Sequence, residues 1–219
     1  PRSELVDSQA FCKRYGIRQV ICHPNPIMME EVRFNAPNRC YVCKKVLFSS
    51  LFEEAAKLGV ETIADGSNLD DLGDYRPGLK ALEELQVKSP LREAGFTKAD
   101  IRALSRELGL PTWSKQSNAC LATRFPYGTE ITAEKLSLVD KAESALSGMG
   151  FTQLRVRVHN DIARIEVPAE QIETLLRDEN RTSIVDALKE LGFAYVTLDL
   201  AGYRTGSMDE KLGTVPSNA

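Results

Sequence analysis

Residues 40–68 read CYVCKKVLFSSLFEEAAKLGVETIADGSN, and this stretch decides the fold assignment. Apolar side chains recur every three or four positions in its first part, which predicts a helix over 40–58 with a buried face. Gly59 is a typical helix stop, and residues 61–64 then predict a strand. A polar loop begins at Asp65, directly after the strand. A strand that ends in a polar loop between helices is typical of an α/β fold.

The neighbouring sequence continues this alternation of helices and strands. It predicts helices over 4–15, 79–85 and 99–108 and a short strand over 18–22. We therefore expect an α/β fold with an open, mostly parallel sheet, in which loops at the carboxyl ends of the strands build the site. The alternation is already under way at Pro1, so we expect an N-terminal portion of about 50–60 residues before it, or roughly one βαβ unit plus a strand.

The pattern changes after Gly128. A helix is predicted over 132–147, a hairpin of two alternating strands over 154–158 and 162–167, a helix over 183–191 and a strand over 195–200. Thr132 is the expected N-cap of the first of these helices. We assign residues 1–129 to the α/β domain and residues 130–219 to a smaller C-terminal α+β domain.

The composition narrows the class of protein. The 219 residues include 28 Lys and Arg against 31 Asp and Glu, a net charge of -3 with a pI near 5.6, which argues against a bulk nucleic-acid binder. No apolar run approaches the ~18 residues of a membrane span. Five cysteines in a chain of this length are better explained as thiols or metal ligands than as disulfides. We therefore expect a cytoplasmic protein without nucleic-acid or membrane partners.

Three of the cysteines are candidates for chemistry. Cys40 and Cys43 form a C-x-x-C at the start of the predicted helix, where the helix N-terminus favours the thiolate. The pattern fits half of a zinc site, a redox pair or part of an iron–sulfur site, and also two small residues that only pack. Cys120 lies in a loop and is flanked by small and polar residues, which is an unusual place for a core cysteine.

The loop over 65–78 is rich in carboxylates and glycines. Its polar residues Asp65, Asn68 and Asp71 follow a predicted strand, where a nucleotide and its metal would bind. The alternative is a solvated acidic loop.

Arginines form a second candidate group. Arg155 and Arg157 alternate along one strand, so both point to the same face and could grip a phosphate or a carboxylate. The alternative is an exposed sheet face paired with Glu166 or Asp161. Arg124 and Arg204 stand in glycine-bearing loops and are candidates for further anion contacts.

These segments together resemble one known family over nearly the whole chain. The matching stretches are residues 38–44, 65–68, 74–81, 89–91, 120–128, 155–157, 162–166 and 196–207. They resemble the PP-loop ATP pyrophosphatases of the LarE type, the ATP-dependent sulfur transferases of nickel-pincer nucleotide synthesis. The resemblance implies a PP-loop α/β domain, ATP with Mg²⁺ as co-substrate, a pyridinium mononucleotide as substrate and a homo-oligomer. In this chemistry a substrate carboxylate is adenylated and a sulfur nucleophile then displaces AMP, which leaves a thiocarboxylate.

The family has two versions of the sulfur step. In one, a cysteine at the position of Cys120 gives up its own sulfur and becomes dehydroalanine. In the other, three cysteines hold a [4Fe–4S] cluster that carries an extra sulfide, reloaded by a sulfide donor. This sequence matches the second version at Cys40, Cys43 and Cys120, and the resemblance assigns Arg155 and Arg157 to the substrate phosphate.

One departure and two alternatives accompany the resemblance. The family's phosphate loop, Ser-Gly-Gly-x-Asp-Ser, does not occur in the 219 residues, and we expect it before Pro1. A related PP-loop tRNA thiolase can use a similar three-cysteine cluster, although the acidic pI and the lack of a basic patch count against it. A zinc-stabilised binding module without catalysis would need a fourth ligand, because structural zinc sites are closed.

Overall fold

The computed structural model describes residues 1–73, 77–116 and 118–204. Residues 74–76 of the predicted acidic loop and residues 205–207 of the matching C-terminal stretch lie outside the described residues. The chain divides into two compact units. We call residues 20–118 the central unit, and residues 1–19 together with the described residues from 119 onward the C-terminal unit.

Helices dominate the described residues. In chain order they are α1 (Arg2–Tyr15), α2 (Glu30–Arg33), α3 (Arg39–Lys57), α4 (Pro77–Glu84), α5 (Pro90–Glu93), α6 (Lys98–Glu107), α7 (Ala133–Gly148), α8 (Ala169–Leu176) and α9 (Asp178–Glu190). Short 3₁₀ turns occupy Pro26–Met28, Leu69–Gly73, Pro111–Ser114 and Leu121–Arg124. The strands are β1 (Arg155–His159), β2 (Ile162–Glu166) and β3 (Tyr195–Leu198). No helix in the described ranges combines the length and the apolar character that a bilayer crossing requires.

The central unit is built on the packing of α3 along α4. The predicted strand over 61–64 is reduced to a single parallel bridge between Ala64 and Lys88. The Asp65 amide donates to the Lys88 carbonyl at 2.8 Å, and the Lys88 amide donates to the Ile63 carbonyl at 2.9 Å. The predicted strand over 18–22 is wrong, since none of these residues pairs with a strand among the described residues. Extended backbone becomes a sheet only where a partner strand receives its hydrogen bonds.

The C-terminal unit carries a three-stranded mixed sheet in the order β1-β2-β3. β1 and β2 form the predicted antiparallel hairpin, with Arg157 opposite Arg164, and β3 lies parallel to β2. Asn160 adopts a left-handed φ of 57° in the tight turn, a conformation that asparagine tolerates better than most residues. Thr132 caps α7 as predicted, because its hydroxyl accepts a hydrogen bond from the Lys135 amide at 3.3 Å.

The core of the C-terminal unit fills the space between this sheet and helices α7 and α9. Helix α7 contributes Val139, Ala142 and Leu146, all with 0% exposure. The sequence did not predict α8, although Pro168 precedes it and its apolar residues have helical spacing. The predicted division of the chain at residue 129 stays a prediction.

Candidate functional site

The C-x-x-C pair lies on the first turn of α3. Cys40 and Cys43 are both half-buried, and neither forms a disulfide. Residues three apart on a helix share one face, so the two sulfur atoms belong to the same side of this turn. Two thiols on one turn can ligate a metal or act together in sulfur chemistry.

Helix α4 approaches this turn closely at Gly78. A Cβ atom at Gly78 would lie 2.9 Å from Cδ of Lys44 and 3.5 Å from the carbonyl oxygen of Cys40. A side chain at this position would require the flexible Lys44 side chain to shift. The first turn of α3 thus packs closely against α4 at the level of the cysteines.

A polar cluster lies beside the same turn, and we call Tyr41, Lys45, Lys80 and Glu84 the Tyr41 cluster. The Tyr41 hydroxyl donates to Oε2 of Glu84 at 2.7 Å, and Nζ of Lys45 lies 2.6 Å from the same oxygen. Hydrogen bonding to Glu84 raises the pKa values of both Tyr41 and Lys45. The hydrogen bond from Lys45 lowers the pKa of Glu84, and the bond from Tyr41 adds to this effect.

Asp65 follows the Ala64 bridge and accepts three hydrogen bonds. The Ser89 hydroxyl donates to its Oδ1 at 2.7 Å, and the Ser67 hydroxyl and amide donate at 2.5 Å and 3.2 Å. Burial alone would raise the pKa of Asp65, but the bonds from Ser67 and Ser89 outweigh it, with help from the charge of Lys44, and lower this pKa. Asp65 is therefore a carboxylate fixed between two serine hydroxyls.

The other predicted residues of the acidic loop bond to the loop itself. The Asn68 amide donates to Oδ2 of Asp71 at 2.9 Å, and the Asp70 amide donates to Oδ1 of Asn68 at 3.1 Å. The Lys98 amide donates to Oδ2 of Asp70 at 2.8 Å, which ties the loop to the start of α6. These bonds shape the loop, and the role of Asp65, Asn68 and Asp71 toward a nucleotide or metal stays a prediction.

Cys120 is exposed and lies in the C-terminal unit, directly before the 3₁₀ turn Leu121–Arg124. Its carbonyl accepts hydrogen bonds from the amide and hydroxyl of Thr123, at 2.9 Å and 2.7 Å. Arg124 also reaches back to this loop, because its Nη1 donates to the carbonyls of Ala119 and Cys120 at 3.3 Å and 3.4 Å. The backbone around the thiol is therefore fixed while the thiol itself stays accessible.

Arg124 is fully buried, with 0% exposure, and holds a bidentate contact to Glu143 of α7. Nε and Nη2 lie 2.7 Å and 3.0 Å from the two carboxylate oxygens. Glu143 also accepts the amide of Val156 at 3.0 Å, which links α7 to β1. The structure gives the Arg124 guanidinium a partner within the chain, the carboxylate of Glu143. That Arg124 also contacts an external anion stays a prediction.

Arg157 has a similar buried environment on β1. Its Nε and Nη2 donate to Oε2 of Glu166 at 3.0 Å and 2.9 Å, and its Nη1 donates to the Thr123 carbonyl at 2.9 Å. Glu166 has 0% exposure and also accepts a bond from Arg164 at 3.1 Å. The alternative prediction, that Arg157 pairs with Glu166, is confirmed. That alternative also placed the arginine on an exposed sheet face, and this part is wrong, because Arg157 is only 5% exposed.

Arg155 and Arg204 complete this group of arginines. Arg155 is 6% exposed, its guanidinium lies 5.1 Å from the centre of the Tyr203 ring, and its Nη1 donates to the Leu154 carbonyl at 2.7 Å. Burial lowers the pKa of Arg155, and the positive charge of Arg124 adds to this effect. Nη1 of Arg204 lies 3.9 Å from Asp199, and its side chain remains 40% exposed.

Sequence reasoning missed Glu143 and Ser89. Glu143 follows Val139 by four positions and lies on the buried face of α7. A carboxylate among the apolar residues of a helix face could have indicated a buried ion pair at this position. Ser89 is fully buried and reaches Asp65 across 24 positions, which no local pattern indicates.

Two of the three cysteines of the predicted metal site lie at the start of α3, and the third belongs to the C-terminal unit. Among residues 1–73, 77–116 and 118–204, no three His, Cys, Asp or Glu side chains are grouped so as to hold a metal ion. Cys40 and Cys43 fit an iron–sulfur cluster by chemistry, because they are thiols one helix turn apart and soft thiolates are the ligands of such clusters. Cys120 belongs to the other unit, and its part in such a site stays a prediction.

A cavity of about 720 Å³ lies in the central unit. Phe52, Leu79 and Val87 line its apolar part, and Glu61, Lys88 and Glu93 line its polar part. None of the predicted site residues in the described ranges lines it.

Comparison with known proteins identifies the family to which this chain belongs. No family model matches the chain. An uncharacterised protein of Synechocystis sp. is 43% identical over 209 residues, which cover 95% of this chain and 78% of that protein. The pyridinium-3,5-bisthiocarboxylic acid mononucleotide synthase of Lactiplantibacillus plantarum is 44% identical over 183 residues, or 84% of this chain and 66% of the synthase. An uncharacterised protein of Methanocaldococcus jannaschii is 33% identical over 179 residues, or 82% of this chain and 69% of that protein.

The matches run through almost all of the chain and through a large part of each relative. The chain spans just under two thirds of the length of the synthase. Identities of 43% and 44% over such lengths show common ancestry and a shared fold. The chain therefore belongs to the family of LarE-type sulfur transferases that includes the pyridinium-3,5-bisthiocarboxylic acid mononucleotide synthase.

Proposed function

We propose that this chain belongs to an ATP-dependent sulfur transferase of nickel-pincer cofactor synthesis. Its substrate is pyridinium-3,5-biscarboxylic acid mononucleotide, and its product carries a thiocarboxylate in place of a carboxylate. The observation that supports this most strongly is the 44% identity over 183 residues to the named synthase. The cysteine thiols on α3 and at Cys120 support a sulfur reaction of this kind.

The proposed reaction has two balanced steps. A carboxylate oxygen of the substrate attacks the α-phosphorus of Mg²⁺-bound ATP, and pyrophosphate leaves. A sulfur nucleophile then attacks the acyl carbon, the bond from this carbon to the AMP oxygen breaks, and AMP leaves with its electron pair. The nucleotide loop in this proposal contains Asp65, Asn68 and Asp71, and it begins directly after the parallel bridge between Ala64 and Lys88.

We assign the sulfur step to Cys40, Cys43 and Cys120. The three thiolates would hold a [4Fe–4S] cluster, which supplies a fourth iron without a protein ligand as the place for the transferred sulfide. The α3 turn contributes two thiols from one helix face, and the hydrogen bonds of Thr123 and Arg124 orient the Cys120 backbone. The sacrificial alternative uses Cys120 alone.

We assign the substrate phosphate to the arginine group of the C-terminal unit. Arg124, Arg155, Arg157 and Arg204 carry fixed positive charge, and Glu166 and Tyr203 hold two of these guanidinium groups in place. A planar guanidinium matches the geometry of a phosphate. In this proposal the C-terminal domain, residues 130–219, binds the substrate, and the protein works as a homo-oligomer.

The test is sulfur transfer by the full gene product, produced from its own start codon and reconstituted anaerobically with iron and sulfide. With ATP, Mg²⁺ and the dicarboxylate nucleotide, we expect equal amounts of AMP and pyrophosphate and a product in which sulfur replaces one oxygen. Incubation with unmodified tRNA tests the thiolase alternative. Thiolated tRNA without thiocarboxylate, or bound zinc without any turnover, would contradict the proposal.

A further inference from the structure

The turn that carries Cys40 and Cys43 has a weak local start. In the described structure its N-cap, Asn38, makes no side-chain hydrogen bond to the first turn. The amides of Arg39 and Tyr41 donate to the carbonyls of Ala36 and Asn38, both at 2.9 Å, but Asn38 adds no side-chain cap. A helix start without a side-chain cap tends to fray, so contacts from a neighbouring helix add to the order of the turn that carries both thiols.

The Tyr41 cluster supplies this support from α4. Tyr41 lies between the two cysteines in sequence, and its hydroxyl donates to Oε2 of Glu84 at 2.7 Å. Lys45, the next residue of α3 to reach the cluster, contacts the same oxygen at 2.6 Å. One carboxylate of α4 therefore holds two positions of the first turns of α3.

Two lysines surround the Tyr41 ring and strengthen this arrangement. Nζ of Lys45 lies 5.7 Å from the ring centre, and Nζ of Lys80 lies 5.8 Å from it. Lys80 also lies 4.0 Å from the other oxygen of Glu84, on the same helix. Both cations thus lie at distances from the ring where cation–π attraction acts, and both contact the carboxylate of Glu84.

The place of Glu84 is hard to explain by stability. It is the last residue of α4, where the helix dipole disfavours a negative charge. Its side chain is 35% exposed, and ion pairs at such exposed sites contribute little to the free energy of unfolding. The contact with Tyr41 and Lys45 instead links the end of α4 to the turn that carries the thiols.

We propose that Glu84 is a positioning residue for the Cys40–Cys43 pair and acts through Tyr41 and Lys45. This inference rests on the proposed function, in which both thiols take part in the sulfur step. It adds that the spacing and order of the two thiols depend on a carboxylate of the neighbouring helix.

The test compares variants of the full gene product before and after iron is added. In iron-free, reduced protein, the alkylation of each cysteine by iodoacetamide is followed by peptide mass spectrometry. We expect Glu84→Ala to increase the alkylation rates of Cys40 and Cys43 severalfold and to speed amide exchange in the first turn of α3. Cys120 serves as the internal reference, and its rate stays unchanged. Glu83→Ala, a change at the adjacent exposed residue, is the matched control and leaves all rates as in the parent protein.

Two further variants separate positioning from a loss of folding. Tyr41→Phe removes only the hydroxyl and should raise the same two rates by a smaller factor. Glu84→Gln keeps an oxygen that accepts the Tyr41 hydroxyl, so it should restore part of the order that Glu84→Ala loses. After reconstitution, the visible iron–sulfur absorption should decay severalfold faster under a chelator in Glu84→Ala than in Glu83→Ala.

Unchanged alkylation and exchange rates in both Glu84→Ala and Tyr41→Phe would overturn the positioning role. An equal rise at Cys120 would also overturn it, because it would show general unfolding. If the rates change as expected but the parent protein binds no iron and transfers no sulfur, then the proposed function fails and the positioning of the turn stands.

Discussion

The central unit and the C-terminal unit differ sharply in how much core they contain. Of the 21 buried hydrophobic residues in the described chain, four lie in residues 20–118 and the other 17 follow residue 119. Those four are Val32, Ala81, Leu82 and Val87. The C-terminal unit places its polar network, centred on Glu166, inside a dense core, whereas the central unit has few buried apolar side chains around its polar residues.

This difference shows two ways of holding reactive groups in place. In the C-terminal unit, burial makes each arginine–carboxylate contact costly to break, so the charges stay fixed. In the central unit, hydrogen bonds at Asp65 and at Glu84 hold the loop and the cysteine turn over a thin core. Regions with few buried apolar contacts open more easily, and mobile functional segments are commonly of this kind. We therefore expect amide exchange in residues 20–118 to be faster than in α7, β1 and β2.

The largest expected loss of stability follows from Glu166→Ala. Removing this fully buried carboxylate leaves the guanidinium of Arg157 without its two charged bonds inside the core. Breaking one partner of a buried ion pair costs about 3–5 kcal/mol. The measurement is the urea midpoint of the circular dichroism signal, together with amide exchange in β1 and β2.

The comparison variant for this prediction is Glu166→Gln, which keeps a hydrogen-bond acceptor in the same space and should lose less. Equal stability of Glu166→Ala and the parent would show that the dense core does not fix the arginine network.

Leu82→Ala is expected to have the next largest effect. Leu82 is 1% exposed and belongs to α4, and truncation of a buried leucine costs about 2–5 kcal/mol. The thin core of the central unit has few other buried side chains to compensate, so its cooperative transition should be largely lost. Trp113, the single tryptophan of the chain, lies in this unit and reports the transition by fluorescence.

Leu188→Ala is the matched change in the dense core, where Leu188 is 0% exposed. It should lower the midpoint of unfolding but leave a cooperative transition by circular dichroism. If Leu82→Ala keeps a sharp Trp113 transition, the two units are more alike in cooperativity than their cores suggest.

A smaller effect is expected at the N-cap of α7. The Thr132 hydroxyl accepts the Lys135 amide, and loss of such a cap costs about 1 kcal/mol. Thr132→Ala should lower the free energy of unfolding by this amount, whereas Thr132→Ser should restore most of it. A loss in Thr132→Ser equal to that in Thr132→Ala would show that the cap contributes nothing there.

The smallest effect is the pH dependence of the acidic loop. Because the pKa of Asp65 is lowered from its ordinary value of 3.8, its contribution to stability is complete above that value and is lost as the pH falls below it. Ser89→Ala removes one donor, so the contribution should be smaller in this variant. The measurement is the urea midpoint of Trp113 fluorescence between about pH 5 and about pH 3. The same pH profile in the parent and in Ser89→Ala would contradict the assignment of the lowered pKa to the serine bonds.

Local signals in the sequence predicted the local structure well. The hairpin of β1 and β2, the Thr132 cap and the helix that starts near Cys40 depend on neighbouring residues and are confirmed. The strands over 18–22 and 61–64 depend on partner strands elsewhere in the chain, and alternation alone could not specify them.

The candidate site shows the same limit. The C-x-x-C turn could be predicted because both thiols belong to one helix start. The burial of Arg124 could not, because its partner Glu143 is 19 positions away and is joined to it only by the packing of α7. Glu84 reaches Tyr41 across 43 positions, so no spacing in the sequence indicated the Tyr41 cluster.

The most direct test of the three-cysteine account follows the mass of Cys120 during sulfur transfer. The reconstituted full gene product is compared with Cys40→Ala and Cys43→Ala over several turnovers, with iron content and thiocarboxylate measured in parallel. We predict that Cys120 keeps its sulfur in the parent protein and that both variants lose iron together with sulfur transfer. Full sulfur transfer by both variants, with Cys120 lighter by one H₂S after turnover, would contradict the account and establish the sacrificial reaction instead.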